Sequence, residues 1–176
     1  MQDSPFTFLH LTDLHVTPAG APPLYGLDPG ARLAAAVADI SRRHGPGSDA
    51  PAAFAVVTGD LTHNGEPEAY ERLRGILAGL PCPAHLLLGN HDDRDAFRAT
   101  FPEAPLDEQG FVQQAASTPL GTFIMLDTKI PGTHAGGLCR ARLDWLAARL
   151  AADEAPVFLF LHHPPFTTGI GHMDRS

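Results

Sequence analysis

At 176 residues, 44% hydrophobic and with a formal charge of −8, the chain has the length of one ordinary domain and enough apolar side chains for a core, which excludes a disordered polypeptide. The acidic balance opposes non-specific binding to nucleic acid or to an anionic membrane, because the surface field repels phosphate. No apolar run approaches ~18 residues, and Met1 to Phe8 carries neither a basic leader nor a long apolar stretch, so neither a membrane span nor a signal peptide is expected. Two cysteines, Cys82 and Cys139, make no disulfide framework and point to a reducing, cytoplasmic compartment. With 17 glycines and 17 prolines the chain is rich in turns, and ten histidines against twelve Lys plus Arg give a first hint of metal chemistry.

In chain order, apolar runs of strand length fall at Phe6–Leu11, Ala53–Thr58, Ala84–Leu88, Phe111–Ala115, Gly121–Leu126 and Pro156–Leu161. They are short and mostly unalternating, as strands covered on both faces are. Helical spacing lies between them. Leu33, Val37 and Ile40 share a face of Gly30–Arg43. Tyr70, Leu73, Leu77 and Leu80 do so in Glu66–Leu80, with Pro67 suited to the first turn. Phe97 and Phe101 predict a short helix after Asp92, and Leu143, Leu146 and Leu150 predict one over Leu138–Ala152. The alternation predicts a layered α/β domain. Phe111–Ala115 and Gly121–Leu126, joined by Ser117 to Leu120, read as an antiparallel hairpin, and the Pro- and Gly-rich Thr17–Pro29 reads as a long loop.

Four of these strands stop at polar clusters of one chemical kind. The first runs into Asp13-Leu14-His15, the second into Gly59-Asp60, the third into Gly89-Asn90-His91-Asp92 and the last into His162-His163-Pro164-Pro165. Open α/β sheets bind ligands outside the carboxyl ends of their strands, so four such ends can meet at one crevice. Oxygen from Asp13, Asp60 and Asn90 with nitrogen from His15 and His162 suits Mn, Fe or Zn. A carboxylate such as Asp60 can bridge two ions, and paired ions ~3.5–4 Å apart clamp an in-line displacement at phosphorus. Singly, each cluster has an ordinary structural explanation: Asp13 as a helix cap, Gly59-Asp60 as a turn, Asn90 as a left-handed residue, His162-His163 as a rigid loop before two prolines. None of these explains why all four strand ends share one ligand bias.

Together the motifs resemble those of the calcineurin-like metallophosphoesterases over nearly the whole chain. Gly59-Asp60-Leu61-Thr62, Gly89-Asn90-His91-Asp92-Asp93-Arg94, and His162-His163-Pro164-Pro165-Phe166 with Gly169-Ile170 and Met173-Asp174 resemble more narrowly the bacterial class III cyclic-nucleotide phosphodiesterases and glycerophosphodiesterases. The resemblance implies a layered α-β-β-α sandwich over residues 1–176 as one domain. It implies two metal ions (Mn, Fe or Zn) and hydrolysis of a small phosphodiester by a hydroxide bridging them, with neither nucleic acid nor membrane as partner. Asp13 and His15 would hold the first ion, Asp60 would bridge, and Asn90 and His162 would hold the second. His91 would contact the phosphate or protonate the leaving group, with Asp92 orienting it. Asn90 and His163 would also touch substrate, with Phe166 and Asp174 further along the pocket wall.

The family closes its site with Gly-His-x-His on a later strand. Gly171-His172-Met173-Asp174 matches only the first half and follows His162 too closely for another strand. The sandwich is therefore expected to be truncated at its C-terminus, leaving a sheet edge open to self-association. Two other readings compete: a phosphomonoesterase or nuclease on the same scaffold, and a truncated inactive module that binds metal or a partner. The absence of a basic stripe weighs against the nuclease. His44, His63, His85 and His134 read as structural, and His10 as a core histidine or one supporting the ligands. Trp145 reads as packing and Arg94 with Arg98 as a solvated helix face, while Lys129 and Arg140 carry no expected role.

Overall fold

Burial is deepest along the second strand, where Ala55, Val56 and Val57 are wholly inaccessible to solvent. The computed structural model describes residues 6–152, 154–171 and 174. Its elements run β1 (Thr7–Leu11), α1 (Pro29–His44), β2 (Ala52–Thr58), α2 (Pro67–Leu77), β3 (Ala84–Leu87), α3 (Arg94–Thr100), β4 (Gln114–Thr118), β5 (Gly121–Met125), α4 (Arg140–Ala151) and β6 (Val157–Phe160). This is the expected order. One sheet is all parallel, ordered β1-β2-β3; the other, β4-β5-β6, pairs β4 antiparallel and β6 parallel to β5.

Successive side chains of a strand face opposite ways, and β2 uses both faces. Val57 packs with Leu33, Val37, Tyr70, Leu73 and Phe97 of the helices. Phe54 and Val56 pack with Phe123 and Met125 of the second sheet, joined by Phe8 and Phe160. Phe54 meets Phe123 edge to face with centroids 5.2 Å apart, and Phe8 meets Phe123 likewise at 5.0 Å, a geometry that adds ~0.5–1.5 kcal/mol per pair beyond area burial. Helices α1 to α3 thus cover one side of the first sheet and the second sheet covers the other, the layering expected for a metallophosphoesterase.

Local chemistry sets the helix starts. The Asp28 carboxylate accepts from Gly30 N (3.0 Å) and Ala31 N (3.3 Å) ahead of Pro29. Asp93 caps α3 through Ala96 N at 2.8 Å. Arg72 pins the long 17–29 loop at both ends, donating to Thr17 O (3.0 Å) and pairing with Asp28 (2.6 Å).

Four expectations need correction. The first hairpin strand begins at Gln114 rather than Phe111, and its turn is Pro119–Leu120. Asp107 accepts from Gln109 N, Phe111 N and Gln113 Nε2, which holds 107–113 in a loop. In α4, Leu143 and Leu150 are exposed while Arg142 is buried, because Arg142 donates to the carbonyls of Asp127 and Lys129 and lies over the Phe111 ring. Strand β6 is not covered on both faces, since Val157, Phe158 and Leu159 are exposed. Arg94 is not solvated; it forks onto the fully buried Asp127 carboxylate at 2.9–3.2 Å, the bidentate geometry that Arg favours. No helix of the described residues is long and apolar enough to cross a membrane.

Candidate metal centre

Parallel pairing of β1 with β2 brings the loops after them side by side. Asp13 N donates to Gly59 O (3.2 Å), His15 N to Asp60 O (2.8 Å) and Val16 N to Leu61 O (3.1 Å). The path is strained: Asp13 (φ 54), His15 (φ 45) and Asp60 (φ 48) all take left-handed backbone, at ~1–3 kcal/mol each, a cost that concentrates at functional sites. Gly59 (φ 94) and Gly89 make the close approach possible. A Cβ on Gly59 would stand 2.7 Å from both Gly89 N and His162 Nδ1, and one on Gly89 would run into the Asp60 carboxylate.

Asp60 is buried at the middle of the cluster, and its two oxygens face opposite ways. Oδ2 lies 3.5 Å from His15 Nε2, which lies 3.9 Å from Asp13 Oδ1. Oδ1 lies 3.4 Å from His162 Nε2, which lies 3.2 Å from Asn90 Oδ1. Exposure rises outwards, with Asp60 buried, His15, Asn90 and His162 half-buried and Asp13 exposed. All five expected ligands therefore meet at one place, in two half-sites that share a carboxylate.

Those residues fit a pair of cations chemically as well as in number. The Thr58 carbonyl can only accept, so His162 Nδ1–H donates to it (2.8 Å), which leaves Nε2 as the nitrogen that faces Asp60 and would offer its lone pair to a metal. Asn90 Nδ2 donates to His134 Nδ1 (2.8 Å), which aims its Oδ1 at the same spot. Of these three acceptors, Asp60 Oδ1 takes the His91 backbone N–H (3.0 Å), while His162 Nε2 and Asn90 Oδ1 face each other at 3.2 Å, a repulsion that a positive charge between them would relieve. In the other half, Asp13, His15 and Asp60 offer ligand atoms all within 4.8 Å of one another. Burial holds the His15 pKa below its ordinary value against the opposing pull of Asp60, which favours the neutral, metal-binding imidazole.

The remaining candidates divide. The half-buried His91 sits at the mouth: its backbone N–H donates to Asp60 Oδ1 (3.0 Å), and its Nδ1–H donates to the His63 carbonyl (2.7 Å). Asp92 does not orient it. The Asp92 carboxylate turns inward, 3% exposed, and accepts from Leu61 N, Thr62 N, Gly89 N and the Tyr70 hydroxyl. It ties the loops after β2 and β3 together, and burial raises its pKa against those four donors. His163 bonds Thr128 Oγ1 (2.8 Å), and burial, with His162 next to it, lowers its pKa to about 4, so it is neutral at pH 7. Phe166 is 73% exposed, and the Asp174 carboxylate closes a turn onto Thr168 and Gly169. The expected half-motif at His172 and Met173 lies outside the described residues.

Two histidines that read as structural in the sequence belong to this cluster. His63 stacks on His91, and His134 holds Asn90. Lys129, given no role, is buried and donates to the Asn90 carbonyl at 3.1 Å. Parallel strand pairing was the available signal for His63, because it puts the loop after β2 beside the loop that carries His15. A cleft of about 690 Å³ opens beside Asp13 and His15, walled by Leu24, Tyr25, Leu27 and Leu33.

A layered α/β sandwich with N/O ligands gathered at its strand ends has the architecture of a metal-dependent phosphoesterase. The model of the calcineurin-like phosphoesterase family matches residues 6–176, and the chain belongs to that family. It is 47% identical over 171 residues to a probable cyclic nucleotide phosphodiesterase of Rhodopseudomonas palustris, covering 95% of this chain and 60% of that protein. It is 36% identical to a cAMP/cGMP dual specificity phosphodiesterase of Mycobacterium tuberculosis, over 91% of this chain and 50% of the relative. Identity to a glycerophosphodiester phosphodiesterase of Enterobacter lignolyticus is 34%, over 68% of this chain and 44% of the relative. The chain thus spans about 60% or less of the length of these curated relatives.

Proposed function

We propose that the protein hydrolyses a small phosphodiester, of the cyclic-nucleotide or glycerophosphodiester type, with residues 1–176 belonging to one phosphoesterase domain. The single observation that carries this reading is the Asp60 carboxylate, which faces His15 with one oxygen and His162 with the other. Asp13, His15 and Asp60 hold one ion; Asp60, Asn90 and His162 hold the second; Mn, Fe and Zn all suit the donor set. Bound there, such ions supply Lewis acidity to the phosphoryl oxygens and lower the pKa of a water. His91 has its Nδ1–H committed to the His63 carbonyl. Its Nε2 is therefore the nitrogen that meets the phosphate; as the imidazolium, with a hydrogen on both nitrogens, His91 would donate from Nε2 to an oxygen where charge develops and pass that proton to the leaving alkoxide. Asn90 orients the phosphate, and His163 forms part of the pocket wall.

A diester small enough for the cleft fits the acidic net charge better than a nucleic acid does. The free thiols of Cys82 and Cys139 suit the cytoplasm. Self-association along the exposed β6 belongs to the same proposal, and sedimentation velocity reads it directly. Turnover of bis(para-nitrophenyl) phosphate with added Mn²⁺, compared with the para-nitrophenyl monoester, tests the activity. Diester turnover that needs metal and vanishes in Asp60→Asn is the expected result. Faster monoester turnover would make the protein a phosphomonoesterase, and metal binding without turnover would make it a binding module.

A further inference from the structure

His63 follows Asp60 by three residues, and its ring touches two histidines of the centre, His91 and His15. The ring stacks on His91 with centroids 5.2 Å apart and planes 17° off parallel, and meets His15 edge on at 5.4 Å. Its Nδ1 lies 3.4 Å from His15 Nδ1. The backbone on either side is fixed, because His63 N–H donates to Val16 O (3.1 Å) and His63 C=O accepts from His91. The ring is therefore held where it stands.

With no cation between them, two imidazole nitrogens at that distance cannot both present lone pairs; one must then carry a proton directed at the other. The choice matters on the far side of the His15 ring, where Nε2 faces Asp13 and Asp60. If His63 donates, neutral His15 carries its hydrogen on Nε2 and is closed to a cation. If His15 donates, Nε2 presents its lone pair to the two carboxylates. We infer that His63 is a positioning residue that accepts the Nδ1 proton of His15 and so fixes the ring plane and tautomer with which His15 binds metal. The same residue sets the tautomer of His91 through its carbonyl, so one loop position governs a histidine on the metal side and one on the phosphate side. The inference rests on the reading of the centre as a metal site. Removing a partner of this kind typically costs ~10–100-fold in metal affinity.

Calorimetric titration of the full-length protein with Mn²⁺ alone tests it, in wild type, His63→Leu, His63→Asn and Asp60→Asn. Leucine cannot accept, whereas asparagine can place Oδ1 near the position of His63 Nδ1. Expected are a loss of ~10–100-fold in one binding step for His63→Leu, near wild-type affinity for His63→Asn, and loss of both steps for Asp60→Asn. Wild-type affinity in His63→Leu alongside a loss in Asp60→Asn would overturn the role of His63 and leave the metal centre standing. Equal weakening in His63→Leu and His63→Asn would also overturn it, by showing that packing matters and the acceptor does not. Unchanged binding in Asp60→Asn would remove the metal-site reading and this inference together. His63→Ala supplies a second side chain without an acceptor should His63→Leu fail to fold.

Discussion

The two half-sites flanking Asp60 are built on different supports. On one side, His162 leans on the Thr58 carbonyl, and the residue that aims it is main chain at the end of the most buried strand. On the other, His15 sits on left-handed backbone and faces a half-buried side chain, His63. A main-chain carbonyl survives substitution of its own residue, whereas an imidazole does not. The His162 half is therefore fixed by the fold, and the His15 half is adjustable through a single residue. The strain at Asp13 and His15 is stabilised by the bonds to Gly59, Asp60 and Leu61, so the adjustable half also depends on β1 and β2 staying in register.

The largest expected effect breaks both halves at once. Asp60→Asn should lower metal-dependent diester turnover by about 10³-fold or more, since it removes the charge that both half-sites share. His91→Ala should cost about 10²-fold or more in kcat, the scale of a lost acid–base group, with the urea midpoint near that of wild type. Asp92→Ala should do the reverse of His91→Ala and strike stability first. Three buried N–H groups lose their acceptor, at about 1–3 kcal/mol for each unsatisfied group, and the urea midpoint should fall accordingly. An Asp92→Ala protein of wild-type stability and low kcat would restore the catalytic role expected from the sequence. The smallest effect lies at the far end of the first loop. Hydrogen bonding from Arg72 holds the Asp28 carboxyl below its ordinary value. The unfolded chain therefore takes up that proton first as the pH falls, so the contribution of Asp28 is full above the ordinary carboxylate range near pH 4 and is lost as the pH drops through the folded value. Arg72→Gln should flatten the fall of Tm with acid over that window.

What could be read in the chain differs between the same regions. The strand ends were legible because each ligand cluster follows its strand directly, and parallel pairing then brings the ends together; Asp13, His15, Asp60, Asn90 and His162 all meet. Asp92 misled because it adjoins His91 in sequence, while the turn from Gly89 points the two side chains in opposite directions. His63 and His134 looked ordinary as single histidines, since their partners are 48 and 44 residues away in the chain. The α4 helix carried a leucine period, yet buried Arg142 instead, because Asp127 and Lys129 present carbonyls that only a long donor reaches. Burial of a polar group follows from where its partner lies, and hydrophobic spacing carries no record of that.

Anomalous diffraction from crystals grown with Mn²⁺ tests the shared carboxylate most directly. Two peaks are expected, one bounded by Asp13, His15 and Asp60 Oδ2, the other by Asp60 Oδ1, Asn90 and His162. Manganese bound elsewhere, or bound at either half with Asp60 turned away, would contradict the bridging role on which the proposed chemistry depends.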